Sequence, residues 1–242
     1  MKYFYYDFSY RSWQDQIWAS DIKVATIWDL IYVNNRYIIN LWSKISWQEL
    51  YAKELDIWDM NNDIKIVGKV FGKKTLELIH RMVKHYLTSY RAAISLFISN
   101  LSQYIRQLEK NKISKNKVDK INFINNKYRP IVHPDSKVWQ TVILIPDLIT
   151  IARLIKDRDY VLIWQDGHSK VMKYFVQIQK WQRNLLITTH WNIWMDRKNL
   201  TNIIVFYPET WYYKNQLDPR YDAVEVCHKL AQIHNANIKI IW

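Results

Sequence analysis

From Pro130 onward the chain alternates short, unbroken apolar runs with amphipathic stretches, and this restricts its fold more than any other feature. Val138–Ile145, Tyr160–Trp164, Asn184–Thr189, Asn202–Tyr207 and Asn237–Trp242 read as strands. Asp147–Lys156, His168–Gln182 and Tyr221–His234 read as helices, the last with Ala223, Cys227, Leu230 and Ala231 on one face. A strand that is apolar at consecutive positions needs cover on both faces, which a parallel sheet wound through helices provides. The sequence therefore predicts an α/β fold over 130–242, with a doubly wound parallel sheet and right-handed crossovers.

Upstream, three further regions are predicted. Residues 75–109 carry Leu76, Ile79, Val83, Tyr86, Tyr90, Ile94, Phe97, Leu101, Tyr104 and Leu108 at three- and four-residue steps, with no Gly or Pro between them. That periodicity predicts one long amphipathic helix, about 50 Å at 1.5 Å per residue. Residues 110–129 form a basic linker of Lys and Asn, too polar to fold alone and suited to ordering on a polyanion. Residues 1–74 are an aromatic-rich extension of weak periodicity; with the long helix, they make the N-terminal part read as mainly helical.

Composition narrows the function. The chain has 35 Lys and Arg against 22 Asp and Glu, a net charge of +13. That balance favours a polyanionic partner, nucleic acid before membrane. A single cysteine, Cys227, rules out an internal disulfide and any multi-cysteine metal site, and its amphipathic setting places it in the core. No uncharged apolar run approaches the ~18 residues of a spanning helix. The chain has only 3 Gly but 13 Trp, against about 7% Gly in an average chain. Depletion of residues with G/C-rich codons points to an A/T-rich gene, and abundant Trp fits if UGA is also read as Trp. The chain thus reads as organelle-encoded. Its N-terminus, aromatic and carrying acids, matches neither a secretory signal nor a transit peptide.

The usual chemical motifs are absent or incomplete. Gly68-Lys-Val-Phe-Gly72-Lys73-Lys74-Thr75 has the context of a P-loop but one residue too few between its glycines, and Lys74 stands where the Mg²⁺-binding hydroxyl belongs. No dinucleotide fingerprint or H-E-x-x-H occurs, and His80 and His85 are five apart, off one helix face. Ile163-Trp-Gln-Asp166-Gly167 resembles the acidic turn of LAGLIDADG homing endonucleases, but in one copy only and on a strand-like segment; the plainer reading is a βα turn with Gly167 supplying a positive φ. No catalytic residue, cofactor, metal or small-molecule substrate is expected.

The segment from Arg129 to the C-terminus resembles the S-two family of small-subunit ribosomal proteins. Arg129-Pro130-Ile131 answers to the family's K-P-x-I-like start, and Ile143-Leu-Ile-Pro-Asp147-Leu148 to its I-I-D-L strand and helix opening. Val161-Leu-Ile-Trp and Leu185-Leu-Ile-Thr-Thr lead to His190-Trp191 where the family has R-W-L-G-G-x-L-T-N, with Leu200-Thr201-Asn202 a few residues late for L-T-N. The family's closing strand, helix and strand match Ile203–Phe206, Asp222–Leu230 and Ile238–Ile241. His190 replaces the motif arginine, both motif glycines are missing, and residues 1–128 have no counterpart. The resemblance implies a parallel α/β sheet with a projecting helical arm. It implies a structural role in a mitochondrial small ribosomal subunit, in the matrix, on rRNA and among neighbouring ribosomal proteins. The candidate RNA contacts are then Lys110, Lys112, Lys115, Lys117, Lys120, Lys127 and Arg129 in the linker, with His190, Trp191, Arg197 and Lys198 beyond the strand. Trp191 reads either as a stacking residue at the sheet edge or as a core residue. Two alternatives remain. One is a nucleic-acid enzyme of homing-endonuclease or maturase type, with Asp166 holding a divalent metal; the other is a matrix-facing subunit of another organellar complex.

Overall fold

The computed structural model describes residues 3–7, 17–20, 29–33, 36–42, 53–54, 65–69, 71–98, 101–110, 140–147, 149–150, 153, 162–163, 168–180, 183–195, 197, 199–217 and 219–242. The chain divides into two compact units, one of residues 1–72 with 89–91, the other of residues 73–88 with 92–242.

The first unit is a sheet, which corrects the expectation of a mainly helical extension. Strands β1 (Tyr3–Asp7), β2 (Ile17–Ser20), β3 (Asp29–Val33), β4 (Arg36–Trp42), β5 (Lys53–Glu54) and β6 (Lys65–Lys69) lie in the order β5-β2-β1-β4-β3-β6. All neighbours are antiparallel except β2 and β5. The segments YFYYD, DLIYV and RYIINLW are dense in aromatic and β-branched residues, which suit a pleated surface better than a helix. β3 and β4 pair Val33 with Arg36, leaving two intervening asparagines, the residue type that two-residue hairpins favour.

The second unit holds the helices and a parallel sheet. The long helix expected over 75–109 is three: α1 (Lys73–His85), α2 (Tyr90–Phe97) and α3 (Leu101–Lys110). The first break falls at Leu87, which is exposed and adopts φ 50°, a left-handed conformation a leucine takes only at a cost. The physical reason is length. A rod of about 50 Å would overhang strands of five to seven residues, which span roughly 17–23 Å. Turning lets each piece bury its own stripe in the unit: Leu78, Ile79 and Met82 from α1, Ile94 and Phe97 from α2, Tyr104 and Ile105 from α3. Ser89, just before α2, is also a residue type that starts helices. Within the linker only Lys110, the last residue of α3, is described; 111–129 lie outside the described residues.

The parallel sheet is as the sequence predicts. Strands β7 (Gln140–Leu144), β8 (Leu162–Ile163), β9 (Leu185–Thr188), β10 (Leu200–Phe206) and β13 (Asn237–Ile241) run parallel in the order β13-β10-β7-β9-β8. The chain leaves central β7 for β8 on one side, then returns across it to β10 and β13 on the other, so the sheet is wound in both directions. Consecutive residues Val142–Leu144, Leu185–Thr188 and Ile203–Phe206 are all buried, so both faces are covered. Helix α4 (His168–Gln179) joins β8 to β9. It packs on α3 through Tyr104, whose ring meets Phe175 edge-on at 5.4 Å and whose hydroxyl donates to Gln179 Oε1 at 2.9 Å. A two-strand ribbon, β11 (Lys214–Asn215) with β12 (Tyr221–Asp222), leads into helix α5 (Ala223–His234), which packs on β10 and α1. Asp222 caps α5 by accepting from Val224 N at 2.8 Å, and Asn235, at φ 53°, ends it. Cys227 lies in the core, where burial pushes its thiol up to about 12.

Candidate nucleic-acid interface

In an open parallel sheet the place to seek a ligand is beyond the carboxyl ends of the strands, where the winding reverses. Here that point lies between β7 and β10. It is filled by the protein itself. Tyr213, in the short 3-10 turn Trp211–Tyr213, is 1% exposed and directs its hydroxyl to Phe206 O at 2.6 Å and Leu144 O at 3.3 Å, the last residues of the two strands. Burial raises its ionisation far above the ordinary phenol value, so it stays a donor. The crevice is closed by a phenol.

Around that plug the strand ends carry exposed aromatic rings. After β9 the chain makes a 3-10 turn, His190–Asn192, anchored by Tyr221, whose hydroxyl donates to His190 O at 3.0 Å. Trp191 is 48% exposed, which decides between its two readings: it lies on the surface. His190 sits 4.7 Å from it, ring to ring, tilted by 38°. Burial lowers the His190 pKa, so the imidazole is neutral near pH 7 and offers a ring and a hydrogen bond rather than a charge. Among the described residues the core tryptophan is Trp194. It is fully buried, edge-on to Tyr221 at 4.7 Å and to Phe97 at 5.8 Å.

Arg197 corrects a sequence expectation. It is 3% exposed and donates through Nη1 to Ile193 O at 2.8 Å and Met195 O at 2.7 Å. A guanidinium spent on carbonyls of its own turn braces that turn and is not displayed to a phosphate. Of the other expected contacts, Lys110 is exposed at the end of α3. Lys112, Lys115, Lys117, Lys120, Lys127, Arg129 and Lys198 lie outside the described residues, as does Asp166. Among the described residues no group of three His, Cys, Asp or Glu side chains could hold a metal ion.

The sequence reading missed the rest of the edge. Tyr207 follows β10 at φ 52° and donates its N–H to Ile241 O at 2.7 Å. The parallel register that pairs Phe206 with Ile241 therefore sets Tyr207 level with Trp242, which is 73% exposed. Between β10 and the ribbon, Trp211 and Tyr212 stack on each other at 4.3 Å and 28°, both exposed. Lys214, in β11, and Arg220, just before β12, are exposed cations, and Glu209 is an exposed acid. The only signal in the sequence was the run Trp211-Tyr-Tyr in a loop, where no periodicity separates a buried ring from an exposed one. Flat exposed rings beside cations are the chemistry that holds unpaired bases. No protein-family profile matches the chain, and no curated protein matches it.

Proposed function

We propose that this chain is a structural RNA-binding protein of a mitochondrial ribosome, in the small subunit, seated on rRNA among other ribosomal proteins. The observation that carries the reading is the carboxyl edge of the parallel sheet. Its ligand crevice is plugged by Tyr213, and its rim presents Trp191, Trp211, Tyr212 and Trp242 to solvent. Large exposed aromatic surfaces are uncommon on proteins that work alone, and a +13 chain favours a polyanion as the cover. The basic stretch 110–129 supports the same partner through phosphate contacts. Among the described residues no helix is long and apolar enough to cross a membrane.

Sedimentation of a detergent-cleared mitochondrial lysate through a sucrose gradient, before and after a moderate salt wash, tests this reading. The chain, followed by mass spectrometry, is expected to travel with the small subunit and to survive the wash. Migration as a free species, or with a respiratory complex, would overturn it. A nuclease assay on Asp166→Asn would then address the enzyme alternative.

A further inference from the structure

A second feature of the same unit lies away from the sheet edge, between α1 and α5. There the two helices border a cavity of about 380 Å³. That is within the ~300–1,000 Å³ range of small-ligand sites. Its walls are apolar where Leu78, Met82, Val226 and the buried indole of Trp194 meet. Its rim is cationic, with Arg81 and Lys84 from α1 and Lys229 from α5. Among the described residues Arg81 has only an exposed pairing with Glu77 at 3.0 Å, a weak one, and neither lysine has a carboxylate partner. One carboxylate lines the cavity. Glu225 is held by the Tyr86 hydroxyl at 3.0 Å on Oε2 and by His85 Nε2 at 3.1 Å on Oε1, so its position is fixed by two donors from the end of α1. Each oxygen still has a lone pair free to accept.

Apolar walls, one fixed acceptor and a cationic rim suit a ligand with an apolar body, N–H donors on one edge and an anionic end. We propose that the cavity takes one purine base with its phosphate, the base against the apolar wall with its N–H edge on Glu225, the phosphate among Lys84, Lys229 and Arg81. A fatty acyl chain fits less well, because hydrocarbon would cover the Glu225 carboxylate without offering a donor to its remaining lone pairs. The same chemistry has two sources, a guanine nucleotide extruded from single-stranded RNA or a free mononucleotide. The RNA source rests on the function proposed above; the free nucleotide does not.

The test uses the full chain and equilibrium dialysis with GMP, guanosine and ribose 5-phosphate, followed by competition between GMP and a short single-stranded RNA. GMP is expected to bind saturably and more tightly than either fragment. Lys84→Glu with Lys229→Glu, two changes outside the core, should weaken it about tenfold or more, because reversed charges at the rim act on the phosphate. Glu225→Gln should weaken GMP while leaving ribose 5-phosphate unchanged, which guards against a misfolded double variant. Competition by RNA, lost in the double variant, assigns the RNA source; GMP binding without competition assigns the free nucleotide. Absence of saturable GMP binding, or binding indifferent to both variants, overturns the proposal. Such a failure is distinguishable from failure of the ribosomal reading, because a chain that binds GMP but leaves the small subunit in the gradient loses only the latter.

Discussion

At the carboxyl end of the parallel sheet, interior and rim are built from the same residue types and use them in opposite ways. Trp194, Tyr213 and Arg197 are turned inward, where their polar atoms serve carbonyls or stand against other rings. Trp191, Trp211, Tyr212 and Trp242 are turned outward, with Trp211 and Tyr212 stacked on each other. Trp191 and Trp194 differ by a single 3-10 turn. Ring content alone does not tell a core from a platform. What separates them is whether the backbone level at which a ring emerges is still covered by α2, α5 and the ribbon.

Removing one ring from each region should have opposite effects. Trp194→Ala should cost about 3–5 kcal/mol of folding stability, the range for emptying a large buried aromatic site. It is measured by urea titration, and a cost near zero would mean that the interior is not packed around this indole. On the rim, Trp211→Ala and Trp242→Ala should each leave stability within about 0.5 kcal/mol. Each should weaken single-stranded RNA binding by about 1–3 kcal/mol if its ring stacks a base. Filter binding at fixed salt reads this directly. Equal effects of Trp194→Ala and Trp211→Ala on stability would erase the distinction between the two regions.

Smaller changes sharpen it. Tyr213→Phe keeps the ring but removes the donor between Phe206 O and Leu144 O; the expected loss is about 1–3 kcal/mol with RNA binding unchanged. The mildest test is pH. Burial, with Lys74 and Arg197 nearby, holds His234 down from its ordinary 6.5 to about 3, and burial holds His80 down to about 4. Both stay neutral in the fold while the unfolded chain protonates them near 6.5. Their stabilisation is therefore complete above that value and declines as pH falls from about 6.5 toward 4. Thermal melts across that window should show a falling midpoint, with a shallower slope in His234→Gln. A flat midpoint would mean that these histidines are not buried neutral.

The second half of the chain was legible because parallel strands buried on both faces write themselves as unbroken apolar runs: Val142-Ile-Leu, Leu185-Leu-Ile and Ile203-Ile-Val-Phe each appear as such. Cys227 fell correctly in the core from its place on the α5 face. The break at Leu87 was not legible, since the three- and four-residue period continues through it and the reason to turn is the length of the sheet below. The strands before residue 70 were not legible because their aromatic and β-branched residues follow no steady period, and pairing such as β2 with β5 joins segments far apart in sequence. Arg197 is a phosphate-contact candidate by its charge alone; the turn at Ile193–Met195 folds it inward. Tyr207 and Trp242 were read as strand ends, without the register that sets them side by side.

The most direct test of the central claim is ultraviolet crosslinking of the chain to RNA in purified small subunits, with the modified residues located by mass spectrometry. Adducts on Trp191, on the Trp211–Tyr212 pair or on Trp242 are predicted, alongside adducts in the basic stretch 110–129. Adducts confined to 110–129, with the carboxyl edge unmodified and a Trp191→Ala/Trp211→Ala/Trp242→Ala variant still binding RNA at full strength, would contradict it.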